Sequence, residues 1–124
     1  MKLSKFLDKN GDYFYLAFRV IIGLVFLLHG VAKIGTPLMS LMGLAMVIEI
    51  VAGACIILGL FTRIVAVIAA LEMAYAFIIA HTIAKGTVYM IGKDGNGGEA
   101  ALLFFAAFLA IAAFGARRFG IDKK

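Results

Sequence analysis

The chain has 124 residues, 65% of them hydrophobic and 15% charged, with a net charge of +5. A soluble domain is about 45–50% apolar and about 25% charged. These figures, with a mean hydropathy of +1.09, exclude a soluble globular domain and point to an integral membrane protein. Lys and Arg in membrane flanks account for the basic balance, so it is no argument for nucleic acid.

In chain order, residues 1–11 are polar and basic, with Leu3, Phe6 and Leu7 on one helical face. They read as a short interfacial helix. The first apolar run, 12–34, follows Asp8 and Asp12 without a small-residue cleavage site, so it reads as a permanent span rather than a signal peptide. Gly35-Thr-Pro37 breaks it, because proline restricts its neighbour and lacks an N–H. The second span is 38–60, the third 62–85 and the fourth 99–114. Between the last two, Gly92, Gly95, Asn96 and Gly97 mark the one substantial loop, and Gly95-Asn-Gly-Gly98 reads as a flexible turn. The expected fold is all-α: one domain, 1–124, forming a four-helix transmembrane bundle.

Lys2, Lys5, Lys9, Arg63, Arg117, Arg118, Lys123 and Lys124 flank one side of these spans, and Lys33, Lys85 and Lys93 the other. The bias predicts both termini in the cytoplasm and a multi-pass protein of the cell (inner or plasma) membrane. Tyr13, Tyr15 and Tyr89 fit an interfacial aromatic belt. Cys55 is the single cysteine, which rules out an intrachain disulfide and leaves a small apolar residue. His29-Gly-Val-Ala-Lys33 and His81-Thr-Ile-Ala-Lys85 share the pattern H-x-[VI]-A-K, a hint of duplicated helix pairs.

Arg19, Glu49 and Glu72 lie inside apolar runs. A charge at the bilayer centre costs at least about 2.5 kcal/mol, so such residues pair, face the interior or serve a pathway. Counted along the helices, Glu49 is central, with Arg19 ~7 Å and Glu72 ~3 Å toward the terminal side. Arg19 can then meet Glu49, Glu72 or both, either as a static register lock or as a working site. Arg19, Gly23, Phe26, Gly30 and Lys33 form one stripe, and Met42, Met46, Glu49 and Gly53 another. Their glycines predict that these faces meet. Glu72 and His81 fall about 180° apart on a straight helix, and no proline marks a kink. His29, Lys33, His81, Lys85 and Glu99 form an expected cluster at the opposite end from the termini. Snorkelling lysines, hydrogen-bonded histidines and a helix-dipole Glu99 are the structural alternatives.

The order Arg19…Gly23…His29-Gly-x-x-Lys33, Glu49-x-x-x-Gly53, Leu58-Gly-Leu-Phe-Thr-Arg63, Gly98-Glu99-Ala-Ala-Leu and Gly115…Gly120-Ile-Asp122 resembles the DoxX family. Arg19, His29, Lys33, Glu49, Arg63 and Glu99 match its pattern; Glu72 and His81 do not. The resemblance implies a four-helix membrane protein that accompanies redox proteins, as in thiosulfate:quinone oxidoreductase. On that basis quinone is the expected cofactor, with Lys33 or His29 donating to its carbonyl and Glu49 passing protons. Redox partner proteins and a homo-oligomer are the expected partners beside the lipid bilayer. A non-catalytic scaffold and a homodimeric small-solute transporter are the competing readings. Metal-ligand spacings such as H-x-x-x-H or C-x-x-C are absent, so no metal site is expected.

Overall fold

The computed structural model describes residues 1–122; the basic tail residues Lys123 and Lys124 lie outside the described part. The described chain is all-helical: α1 (Lys2–Lys9), α2 (Gly11–Val31), α3 (Leu41–Leu58), α4 (Thr62–Tyr75), a π-helical continuation of α4 (Ala76–Ile83), and α5 (Glu99–Phe114). Helix α1 buries none of its residues, and Leu3, Phe6 and Leu7 all stay exposed. Asn10 ends it, its side-chain amide donating to the Phe6 carbonyl at 2.8 Å. The same residue's carbonyl then accepts from Tyr13 and Phe14, so α2 begins almost without a break.

The glycine-bearing faces of α2 and α3 meet as expected. Helix α2 buries Arg19, Gly23, Phe26 and Gly30, and α3 buries Gly43, Glu49, Ala52, Gly53 and Ile56. A Cβ on Gly53 would lie 2.7 Å from the Gly23 carbonyl oxygen, and one on Gly30 2.9 Å from Glu49 Cβ. Only hydrogen fits at these crossings, which is how small residues let membrane helices approach. Met42, placed on this face by spacing, is instead half exposed. Helix α3 starts at Leu41 rather than 38, because Ser40 caps it by accepting from the Gly43 N–H at 3.0 Å. It ends where Gly59 turns left-handed, at φ 71°.

Helices α4 and α5 face each other through Ala66, Ala69, Ala70 and Met73 on one side and Ala101, Phe104, Ala107 and Phe108 on the other. Phe26 joins them: its ring centroid is 4.7 Å from that of Phe108 and 5.2 Å from that of Phe104. This aromatic knot, with Ile56 and Ile111, is the centre of the apolar core.

The helices follow the expected order, with one correction in the third span. Three helices, Gly11–Val31, Leu41–Leu58 and Thr62–Ile83, are long and apolar enough to cross a bilayer. Helix α5 (Glu99–Phe114) has the bounds expected of the fourth span; its 16 residues give ~24 Å of helix against a hydrocarbon core of ~30 Å. The third span is not a straight α-helix. Its last third winds as a π-helix, in which each residue turns through a smaller angle because the bonds run i to i+5. The expected opposition of Glu72 and His81 therefore does not carry across it.

The loop before α5 is pinned rather than flexible. Asn96 is buried. Its side chain donates to the Thr87 carbonyl at 2.9 Å and the Thr82 hydroxyl at 3.3 Å, and accepts from the Gly98 N–H at 2.7 Å. Its own N–H reaches the Tyr89 carbonyl at 2.8 Å.

Candidate functional site

The packing of α2 on α3 sets which polar groups can meet. Gly30 lies beside Glu49, and Gly23 beside Gly53. Arg19, further toward the terminal end, therefore arrives at the last turn of α3. Its Nε donates to the Ile56 carbonyl at 2.8 Å and its Nη2 to the Ile57 carbonyl at 3.3 Å. From the segment after α5, Ala116 offers its carbonyl to Nη1 at 2.6 Å and Phe119 offers another to Nη2. The guanidinium is 1% exposed and is held by carbonyls that helix ends leave without partners, where the dipole favours a cation. The expected Arg19–Glu49 pair is thus corrected, and so is the Arg19–Glu72 bridge. The anchoring carbonyls lie seven and eight residues beyond Glu49, ~10–12 Å along the axis.

Around Arg19 the chain closes on itself. Asp122 accepts from the Phe61 N–H at 2.7 Å and the Thr62 N–H at 2.8 Å, which caps the start of α4 from sixty residues away. The N–H groups of Ile121 and Asp122 return to the carbonyls of Leu58 and Gly59. A Cβ on Gly59 would lie 2.6 Å from Gly120 Cα, so both glycines are needed for contact. Tyr15 adds a hydroxyl bond to the Gly115 carbonyl at 2.6 Å. Leu58-Gly-Leu-Phe-Thr-Arg63 and Gly120-Ile-Asp122 are therefore two halves of one clasp.

Glu49 takes a different cation. Lys33, in the turn after α2, reaches back so that Nζ lies 2.7 Å from Glu49 Oε1 and 3.2 Å from the His29 carbonyl. The pair is asymmetric: the lysine side chain is 24% exposed and the glutamate 2%. Glu72, from α4, brings its carboxyl beside that of Glu49, within the field of Lys33. Glu72 Oε1 is shielded from solvent and has no further partner among the described residues. Glu72 is thus not an arm of an Arg19 bridge. A carboxylate oxygen only accepts, so a hydrogen bond between the two carboxyls requires a proton on one of them.

His29 stands next to this group. Its Nδ1 lies 2.9 Å from the Val25 carbonyl, and its ring meets Phe104 edge to face at 5.3 Å. A carbonyl cannot donate, so Nδ1 carries the hydrogen, and in the neutral ring Nε2 is left as an acceptor.

The other members of the expected cluster do not join. His81 Nδ1 faces the Asn96 carbonyl at 3.1 Å. Lys85 and Glu99 are exposed and form no ion pair with a described residue. No group of three or more metal-ligating side chains converges among the described residues. Sequence reasoning missed Asn96, whose place between glycines resembles any turn. It also missed the reach of Lys33 to Glu49, whose only trace was the shared stripe with Gly30.

Comparison with known proteins agrees with this architecture. The family model for DoxX matches residues 35–82, a segment that holds Glu49, Glu72 and the first half of the clasp. An uncharacterized protein of Haemophilus influenzae is 37% identical over 132 aligned residues, covering 95% of each chain. No solved structure matches. With a relative at that identity aligned over almost its whole length, and with apolar helices long enough to span a bilayer, the chain belongs to the DoxX family of membrane proteins.

Proposed function

We propose that this chain is a quinone-linked subunit of a membrane oxidoreductase complex, whose headgroup site is built by Lys33, Glu49, Glu72 and His29. The observation that carries the reading is the state of Lys33. An ammonium has three N–H donors; two are used, toward His29 and Glu49, and the partly exposed side chain keeps one. That free donor suits a carbonyl oxygen. His29 Nε2, an acceptor, suits the hydroxyl of the reduced form. The residues therefore fit a group that alternates between carbonyl and hydroxyl.

A bound quinone supplies two-electron chemistry that takes up or releases two protons, with the electrons exchanged with a partner protein. The chain's own part is proton handling and orientation. Glu49 holds Lys33 in place, and the Glu49–Glu72 contact keeps one proton beside it. His29 takes or returns a second at Nε2. Burial of Glu49 beside Gly30 keeps water from short-circuiting the transfer.

The same reading places both termini in the cytoplasm of a plasma-membrane protein that forms a single domain. With Lys33 committed to Glu49, the basic residues of the loop end reduce to Lys85 and Lys93. The terminal end keeps Lys2, Lys5, Lys9, Arg63, Arg117 and Arg118, which supports the orientation. These exposed basic groups also favour a second reading, a scaffold that holds soluble redox partners against the membrane.

The test is quinone content after purification in mild detergent, measured by extraction and chromatography. The wild-type protein is expected to retain quinone. Lys33→Ala is expected to reduce retention about tenfold, the value of one hydrogen bond to a charged group, and Glu49→Gln to reduce it as well. Equal retention in both variants, or a partner protein co-purifying without any quinone, overturns the redox reading; the latter result supports the scaffold.

A further inference from the structure

The terminal end of the bundle holds a groove of about 770 Å³ on the outer side of the clasp, lined in part by its Thr62, Gly115, Ala116 and Asp122. Arg63 and Ile64 line it from the first turn of α4, Phe114 and Arg117 from the end of α5, and Asp12 from α2. The Arg63 guanidinium lies over Gly115, where a Cβ would come within 2.9 Å of Nε, and it has no ion pair with a described residue. Arg117 touches only the edge of Asp12, at 3.5 Å, and otherwise covers the Phe114 ring.

The N–H groups of Arg63 and Ile64 belong to the helix turn that has no intrahelical partners. Thr62, 1% exposed, also lines the groove, with a hydroxyl that makes no hydrogen bond. The nearby Asp122 is already engaged. Burial pushes its carboxyl up, but the neighbouring Thr62 and Phe61 groups and the Arg19 charge outweigh that and leave it below the usual range. Arg63 and Arg117 line the groove with Asp12 and Asp122, and Asp122 is already engaged by the N–H groups of Phe61 and Thr62, which leaves Arg63 without an anionic partner among the described residues.

The rim is apolar. Phe61, Ile64 and Phe114 are 65%, 63% and 53% exposed, at the end of helices long enough to span a bilayer. A ligand that meets both features joins an anionic oxygen cluster to hydrocarbon. We propose that this groove binds the phosphodiester headgroup of an anionic phospholipid, with Arg63 and Arg117 on the phosphate and the acyl chains along Ile64 and Phe114. The site is independent of the quinone reading.

The test uses the whole protein in detergent, with native mass spectrometry to count bound lipid after adding dioleoyl phosphatidylglycerol or dioleoyl phosphatidylcholine. Each basic residue near an anionic surface is worth about fivefold in partitioning. Arg63→Gln with Arg117→Gln is therefore expected to lose about 25-fold of the preference for phosphatidylglycerol. Replacing Lys2, Lys5 and Lys9 with Gln, which lowers the general charge of the same end, is expected to leave the preference in place. A wild-type protein that retains both lipids equally overturns the proposal without any variant. So does an unchanged preference in the double arginine variant, or inorganic phosphate at equal concentration displacing the lipid.

Discussion

Arg19 and Lys33 lie on the same stripe of α2 and the turn that follows it, yet their surroundings satisfy them in opposite ways. Arg19 makes four bonds, all to carbonyl oxygens, and is closed off from solvent. Lys33 makes two, keeps a donor, and rests on a carboxylate that lies beside a second carboxyl. A buried charge is therefore not by itself a mark of function. Arg19 is spent on holding helix ends together. Lys33 has hydrogen-bonding capacity left over, beside two neighbouring carboxyls.

Substitutions that remove one group from each region test the contrast. The largest effect is expected for Arg19→Met, which leaves four carbonyls without their donor and unlocks the clasp. A loss of about 3–5 kcal/mol, the range for breaking a buried charge network, is expected as a large drop in thermal stability in detergent. A small change there would mean that the clasp holds without its cation.

Lys33→Met is expected to cost about 3 kcal/mol by leaving Glu49 without its cation. The double variant Lys33→Met, Glu49→Met is expected to recover most of that loss, since paired removal of a buried ion pair is often neutral. A double variant as unstable as the sum of the singles would show that the two residues act separately.

Asp122→Asn comes next, at about 1 kcal/mol for a lost helix cap. Its pH dependence has a defined sign. The folded carboxyl sits below its usual value of 3.8, so its contribution is fully present above that value. It is lost as pH falls from there through the lower folded value. Acid titration of thermal stability should show this loss in the wild type and not in the variant.

The smallest stability change is expected for Glu72→Gln. The amide can replace a proton between the carboxyls with an N–H donor to Glu49, so stability should stay within about 0.5 kcal/mol. The infrared carbonyl band of a protonated carboxylic acid should disappear. A band that survives in Glu72→Gln places the proton elsewhere.

How far the sequence could be read depended on what kind of partner a residue has. The stripe Arg19, Gly23, Phe26, Gly30 was legible because helical spacing and small residues leave a periodic trace. The partners of Arg19 were not, because every residue carries a carbonyl and nothing in the sequence shows which are free. The fold-back at Gly120 and Asp122 was visible only as part of a family pattern. Asn96 was hidden among glycines, and the π-winding after Tyr75 has no residue that announces it.

Composition and period alone determined that this is a membrane protein of packed apolar helices, that α2 and α3 meet through glycine, and that Arg19 and Glu49 are buried. Those properties are local: each follows from residue type and the helical repeat. Only the tertiary structure decided that Glu49 belongs to Lys33 rather than to Arg19, and that Glu72 belongs to Glu49. The axial offset of α2 on α3 separates Arg19 from Glu49 by about two helical turns and brings Lys33 back to it. That offset is set by where the glycines interlock and where Ser40 lets α3 begin.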